Sequence, residues 1–246
     1  MTHIYPVTKD KSLVSYPTYT ITQKREPDVI TWRSHYPAVW NQEQLGCCTA
    51  EAMSAALAYY EPGFIPSVLF QYYNERSLEG EMNPQAGADL STTCEAAEKY
   101  GICPDNLWPF VESQVDVKPP EACYTAAQKD RLASFYRIAP EDGENTVIAI
   151  RNAVAIGQPV LIGVNVFEGL ESAAAAQTGV VPLPEANQQS MGGHAICLTG
   201  YDNVKQQFQF RNSWGADWGD AGYGYFPYQY FLSGNLISSW VVTGAD

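Results

Sequence analysis

Asn41-Gln-Glu-Gln-Leu-Gly-Cys-Cys-Thr-Ala50 ends in two adjacent cysteines, just ahead of a segment where Ala50, Met53, Leu57 and Tyr60 recur at helical spacing. The spacing predicts a helix over 49–60, stopped by Pro62-Gly63, with Cys48 at its N-terminus. A cysteine placed there meets the positive end of the helix macrodipole and unpaired backbone N–H groups, and both favour a thiolate. Such a thiolate can attack a carbonyl. The oxygen that turns anionic needs donors, and the Cys48 N–H with the neutral amide of Gln42 would supply them. Read alone, a helix-start cysteine is more often a small buried structural residue.

A thiol nucleophile needs a base, and the chain has only three histidines. One of them, His194, stands in the apolar run Met191-Gly-Gly-His-Ala-Ile-Cys-Leu-Thr-Gly200, and Asn212 follows in Arg211-Asn-Ser-Trp-Gly215. A histidine on an apolar strand is ordinarily a core residue with its hydrogen bonds satisfied. Gly192 and Gly193, however, leave one side of the ring uncrowded, as a residue facing a cleft requires. Asn212 is placed to accept the His194 Nδ1–H, and Trp214 to shield that bond from water, which completes a Cys48/His194/Asn212 set.

With 246 residues, 46% of them apolar, the chain can bury a large core, and one domain with two lobes is the simplest reading. A net charge of −13 argues against a nucleic-acid or anionic-membrane surface. No run approaches the roughly twenty apolar residues of a membrane helix. The N-terminus lacks a secretory pattern, so the chain reads as soluble with its compartment undetermined. Cysteines at 47, 48, 94, 103, 123 and 197 show no metal-ligand spacing, so no metal and no cofactor is expected. A Cys94–Cys103 bridge is open, as is a strained Cys47–Cys48 pairing.

Helices are also expected over 67–74, 90–100 and 146–156, and strands over 160–166, 195–201, 207–211, 223–226 and 238–242. The N-terminal lobe is then mostly helical and the C-terminal lobe mostly β. The stretch 169–189, rich in Gly, Pro and polar residues, reads as a long loop overhanging a cleft.

In order and spacing, Gln42 with Gly46 and Cys48, His194-Ala195, Asn212-Ser-Trp-Gly215, Trp218-Gly219 and Gly222-Tyr223-Gly224 resemble the papain-like cysteine peptidases, whose local signature is well known. The resemblance runs from about Pro27 to the C-terminus. Trp32-Arg33 resembles the start of the mature enzymes, and Tyr100-Gly-Ile-Cys-Pro-Asp-Asn-Leu-Trp-Pro109 resembles a segment of microbial members. It implies an α+β two-lobe fold with the site in the cleft, and a monomeric thiol peptidase acting on peptides or proteins. By that resemblance Cys48 is the nucleophile, His194 the base and then acid, Asn212 the orienter and Gln42 the oxyanion donor. Gly87 would pair with the substrate backbone; Ala88, Asp89, Gly192, Gly193, Ala195 and Trp214 would lie around the bound peptide.

Three positions depart from the family. Leu45 stands where a disulfide cysteine is usual, Cys47 replaces a small residue, and Thr49 replaces an aromatic one. Cys47 and Thr49 keep a second reading open, a silent or acyl-transferring relative that binds peptides. Residues 1–26 precede the resemblance, which sets a peptidase domain at 27–246. They are too few for a separately folded inhibitory propeptide, and they carry Lys9, Lys11, Lys24 and Arg25 against Asp10 and Glu26. This positive segment should be drawn to a negative body, and its run Val14-Ser-Tyr-Pro-Thr-Tyr-Thr-Ile21 favours the extended shape of a cleft-bound peptide, so residues 1–26 are expected to lie against the cleft or its rim and restrict access, a loose tail being the alternative.

Overall fold

The computed structural model describes residues 3, 5–10, 16–21, 26–129, 134–139 and 143–244. Helix α1, Cys48–Tyr60, is buried almost all round, from Cys48 to Ala58. Its alanines let it run through the middle of the molecule, packed on α2 and α3 and against the sheet. Helix α2, Val68–Glu79, starts at Ser67, whose side chain accepts from Phe70 N, and stops at left-handed Gly80. Such an N-cap contributes about 1 kcal/mol. Helix α3, Leu90–Tyr100, is capped by Asp89 and ends at Gly101. A short α4, Glu121–Ala127, completes the helical lobe.

The other lobe is a seven-stranded antiparallel sheet. Its strands are β1 (Val29–Thr31), β2 (Ser134–Arg137), β3 (Val160–Val166), β4 (Gly192–Asp202), β5 (Gln207–Arg211), β6 (Tyr223–Pro227) and β7 (Leu236–Thr243). They run β2-β7-β3-β4-β5-β6, with β1 paired to β4. Alternation along β4 divides its side chains. Ile196 and Leu198 enter a core with helix α5, Gly143–Ala155, and with Trp214 and Trp218. Ala195 and Cys197 enter a second core with α1, α3 and Trp240, which joins the lobes. This sheet register presents His194 beside Trp214, while Cys48 arrives from α1.

The expected elements appear: α3, β3 and β5 keep the expected bounds, α5 begins three residues earlier and ends one earlier, and the others gain residues at one or both ends. The stretch 169–189 is a correction, because it folds into a short turn and then helix α6, Ala173–Thr178. Ser172 caps it, accepting from Ala175 N at 3.1 Å, and four alanines followed by Gly179 carry it. All six cysteines are free and buried, so neither open disulfide forms. Instead Cys103 sits against Cys123, while Cys94 belongs to the inter-lobe core. Among the described residues no helix is long and apolar enough to cross a membrane, and no cluster of side chains is arranged to hold a metal ion.

Candidate active site

Cys48 is the first residue of α1 and has no exposed surface. Burial pushes its thiol up to about 12, against the pull of the Ala195, Thr49 and Cys48 backbone N–H groups. Its neighbour Cys47 faces a different core, with Leu45, Ala50, Val68, Leu69 and Tyr72. Behind Cys48 lies a carboxyl that sequence reading missed. Thr49 Oγ1 donates to Glu75 Oε1 at 2.6 Å and Thr93 Oγ1 to Glu75 Oε2 at 2.7 Å. Burial nonetheless pushes Glu75 up to about 8. Thr49, in place of the usual aromatic residue, is therefore the hydroxyl partner of a buried carboxyl; the alternation of Thr49, Glu75 and Thr93 along three different helices gave no local signal of it.

His194 meets Asn212 through Nε2, 2.9 Å from Asn212 Oδ1. This corrects the expectation of an Nδ1 contact. Asn212 Oδ1 also accepts from Ser213 N at 2.9 Å, so it is an acceptor and Nε2 carries the proton. Nδ1 has no hydrogen-bond partner among the described residues and is left with its lone pair. Burial brings the ring down to about 4, while the Asn212 bond raises it and His3 lowers it further. Trp214 stacks on the ring at 5.2 Å and Trp218 meets Trp214 edge-on, which keeps water from the Asn212 bond.

Gln42 ties the two lobes together. Its backbone N–H reaches Ser213 O at 2.9 Å, and its Oε1 accepts from Ser213 Oγ. Nε2 gives one N–H to Leu45 O at 2.8 Å and keeps a second. Asp89 uses Oδ1 to cap α3 through Thr92 N at 2.7 Å and Ser91 Oγ at 2.6 Å. Ala88 and Ala195 are buried beside it and beside Cys48 respectively.

The cleft is occupied by the chain's own N-terminal residues. Val7 N donates to Gly193 O at 3.0 Å and Gly193 N to Tyr5 O at 3.1 Å, a parallel bridge centred on Pro6. Tyr5 stands edge-on to His194 at 6.1 Å, and His3 stacks on Trp214 at 4.0 Å. Both reach Glu171 just before α6, through Tyr5 Oη and His3 N. A Cβ on Gly193 would fall 2.1 Å from Val7 O, and one on Gly87 2.4 Å from Pro6 Cγ, so both positions admit the segment only as glycine. Sequence reading set residues 1–26 against the cleft or its rim and pointed to the run 14–21 for its extended shape; Val14 and Ser15 lie outside the described residues. Residues 17–19 instead extend along β2, where Tyr19 N donates to Arg137 O at 2.8 Å. Residues 3 and 5–7 cross the site.

Comparison with known proteins gives one answer. The family described as "Papain family cysteine protease" matches residues 26–231. An uncharacterized peptidase C1-like protein of Acanthamoeba polyphaga mimivirus is 35% identical over 82% of this chain and 68% of its own. Cathepsin K of Gallus gallus is 27% identical over 81% of this chain, which spans only 58% of that protein. Xylellain, a cysteine protease from Xylella fastidiosa, superposes with a TM-score of 0.88 at 29% identity, covering 98% of this chain and 96% of its own. Digestive procathepsin L 3 of Tenebrio molitor, at 18% identity and a TM-score of 0.74, shares the fold over 97% of this chain and 76% of its own. With a family match across most of its length and two lobes joined through a core that holds Cys48 and Ala195, this chain is a papain-family cysteine peptidase.

Proposed function

We propose that the protein hydrolyses peptide bonds through a Cys48 acyl-enzyme, and that His3 and residues 5–7 restrict entry to the site. The observation that carries the reading is the His194 Nε2 to Asn212 Oδ1 bond of 2.9 Å, which fixes the tautomer whose Nδ1 lone pair can take a thiol proton. His194 Nδ1 removes the Cys48 proton and Sγ adds to the substrate carbonyl carbon. The oxyanion accepts from the Cys48 N–H and from the Gln42 Nε2–H that Leu45 leaves unused. Collapse of the adduct breaks the C–N bond as His194 returns its proton to the leaving amine. Water, deprotonated by His194, then adds to the thioester; release of the acid restores the thiol.

Peptide contacts are assigned to Gly87, Ala88, Asp89, Gly192, Gly193, Ala195 and Trp214. Gly87, Gly192 and Gly193 already meet the backbone or side chains of residues 5–7. With the segment in place, the thiol is pushed up and the imidazole down, so both are neutral near pH 7. Displacement rehydrates the pair and moves both back toward the values at which proton transfer is easy. The protein would work as a monomer without a cofactor. The occupied cleft and neutral thiol also suit the second reading, a silent peptide-binding relative. An epoxide thiol trap followed by intact mass separates the two. Stoichiometric labelling that is lost in Cys48→Ala, kept in Cys47→Ser and accelerated by Tyr5→Ala supports the peptidase; labelling that stays slow in Tyr5→Ala, or that follows Cys47, overturns it.

A further inference from the structure

A cavity of about 400 Å³ opens on the Cys47 side of α1. Trp40, Ile65, Val68 and Phe110 form apolar walls, and Asp105 stands in its lining. Glu51, one turn into α1, also lines it, although the side chain is only 4% exposed. Glu51 Oε1 has no hydrogen-bond partner among the described residues. The adjacent cation, Arg211, does not supply one. Its guanidinium donates to Pro37 O at 2.7 Å and Ala38 O at 2.6 Å, and lies 4.7 Å from the Trp40 ring centroid. Burial therefore outweighs Arg211 and pushes the Glu51 carboxyl up to about 8. A buried carboxyl with an unused oxygen, floored in an open apolar cavity, lacks a donor that a ligand can bring.

We propose that this cavity is a second binding site, separate from the catalytic cleft, for a compact organic cation: a protonated amine or amidinium on an apolar body. The N–H groups of the cation meet Glu51 Oε1, Asp105 adds attraction, and the apolar body lies against Trp40, Val68 and Phe110. A body of about seven or eight heavy atoms enters such a volume without strain. None of Cys48, His194, Asn212 and Gln42 lines the cavity. Asn41 does, and it precedes Gln42 and pairs with Trp214, so an occupant touches the chain that carries the Gln42 amide.

The test titrates the full chain with benzylammonium, benzyl alcohol and benzoate, by calorimetry and by the Trp40 indole N–H signal in NMR. Benzylammonium should bind about tenfold more tightly than benzyl alcohol, with benzoate weakest, because a charge-assisted hydrogen bond is gained only by the cation. Glu51→Gln, which keeps shape, should erase the preference for the cation. Should that variant fail to fold, Ile65→Trp at the exposed rim supplies the check by closing the mouth and removing binding. Prior labelling of Cys48 by the thiol trap should leave the affinity unchanged. Equal affinity for the three probes, an unmoved Trp40 signal, a cation preference that survives Glu51→Gln, or competition by the trap would each overturn the proposal.

Discussion

The two halves of the catalytic set rest on opposite kinds of support. Around Cys48 the helical lobe buries ionisable groups: Glu51, Glu75 and Arg76 are all within 4% exposure of complete burial. Arg76 is fully enclosed and donates to Met82 O at 2.7 Å and Asp116 Oδ1 at 3.1 Å. Around His194 the β lobe buries rings, with Trp214, Trp218, Phe210 and Phe226 in a continuous chain of ring contacts. A nucleophile mounted among carboxyls is set by electrostatics, whereas a base mounted among rings is set by geometry. Substitutions should therefore act differently on the two sides.

The largest effect tests the nucleophile itself. Cys48→Ala should reduce peptide hydrolysis to background, while Cys47→Ser, in a separate core, should keep most of it. Next comes the span between lobes. Gln42→Ala should lower kcat by about a hundredfold with a small change in KM, and Asn212→Ala should cost about tenfold, because the ring still packs on Trp214. A change confined to KM for Gln42→Ala would remove its oxyanion role.

The covering segment comes third. Tyr5→Ala removes the ring over His194 and the link to Glu171, so kcat/KM for a short fluorogenic peptide should rise several-fold over wild type. Equal rates would show that the segment through Tyr5 does not limit access.

The pH dependence of stability sharpens the contrast between lobes. Glu51 and Glu75 sit at about 8, above the ordinary carboxyl value, so the folded state holds more protons than the unfolded one from about pH 4.5 upward. Stability therefore falls as pH rises from about 5 to 8. His194, brought down to about 4, acts in the opposite sense, adding stability as pH rises from 4 toward the ordinary histidine value. Two carboxyls outweigh one imidazole. Thermal unfolding should show a decline in Tm across pH 5–8, and Glu75→Gln should flatten it while leaving Tm near pH 5 little changed. The smallest effect is local: Ser172→Ala should cost about 1 kcal/mol by removing the α6 cap, read by denaturant unfolding.

Much of this was legible in the chain. The α3 boundaries and strands β3 and β5 follow from periodicity and flanking glycine, because their local preferences agree with their burial. Cys48, His194 and Asn212 stood out through scarcity and motif order. What stayed hidden depends on contacts distant in sequence. The Nε2 choice at His194 is decided by how β4 presents the ring to the loop after β5. Glu75 looks like an ordinary surface residue of a helix until Thr49 and Thr93 close over it. Helix α6 was readable, since Ser172, four alanines and Gly179 are a capped helix in miniature; the surrounding prolines and glycines masked it.

Val7 is only 5% exposed and packs in the same core as Cys48, Leu161 and Trp240. The covering segment is thus rooted in the hydrophobic centre and not laid over the surface. Opening the cleft withdraws a core residue, so it is a local unfolding equilibrium with its own free energy, smaller than that of the whole molecule. The Val7 amide, bonded to Gly193 O, should exchange its hydrogen at a rate that reports this opening. Mild denaturant or warmth, well short of global unfolding, should then raise the fraction of molecules with an accessible thiol, and the enzyme would work fastest in conditions that begin to loosen it.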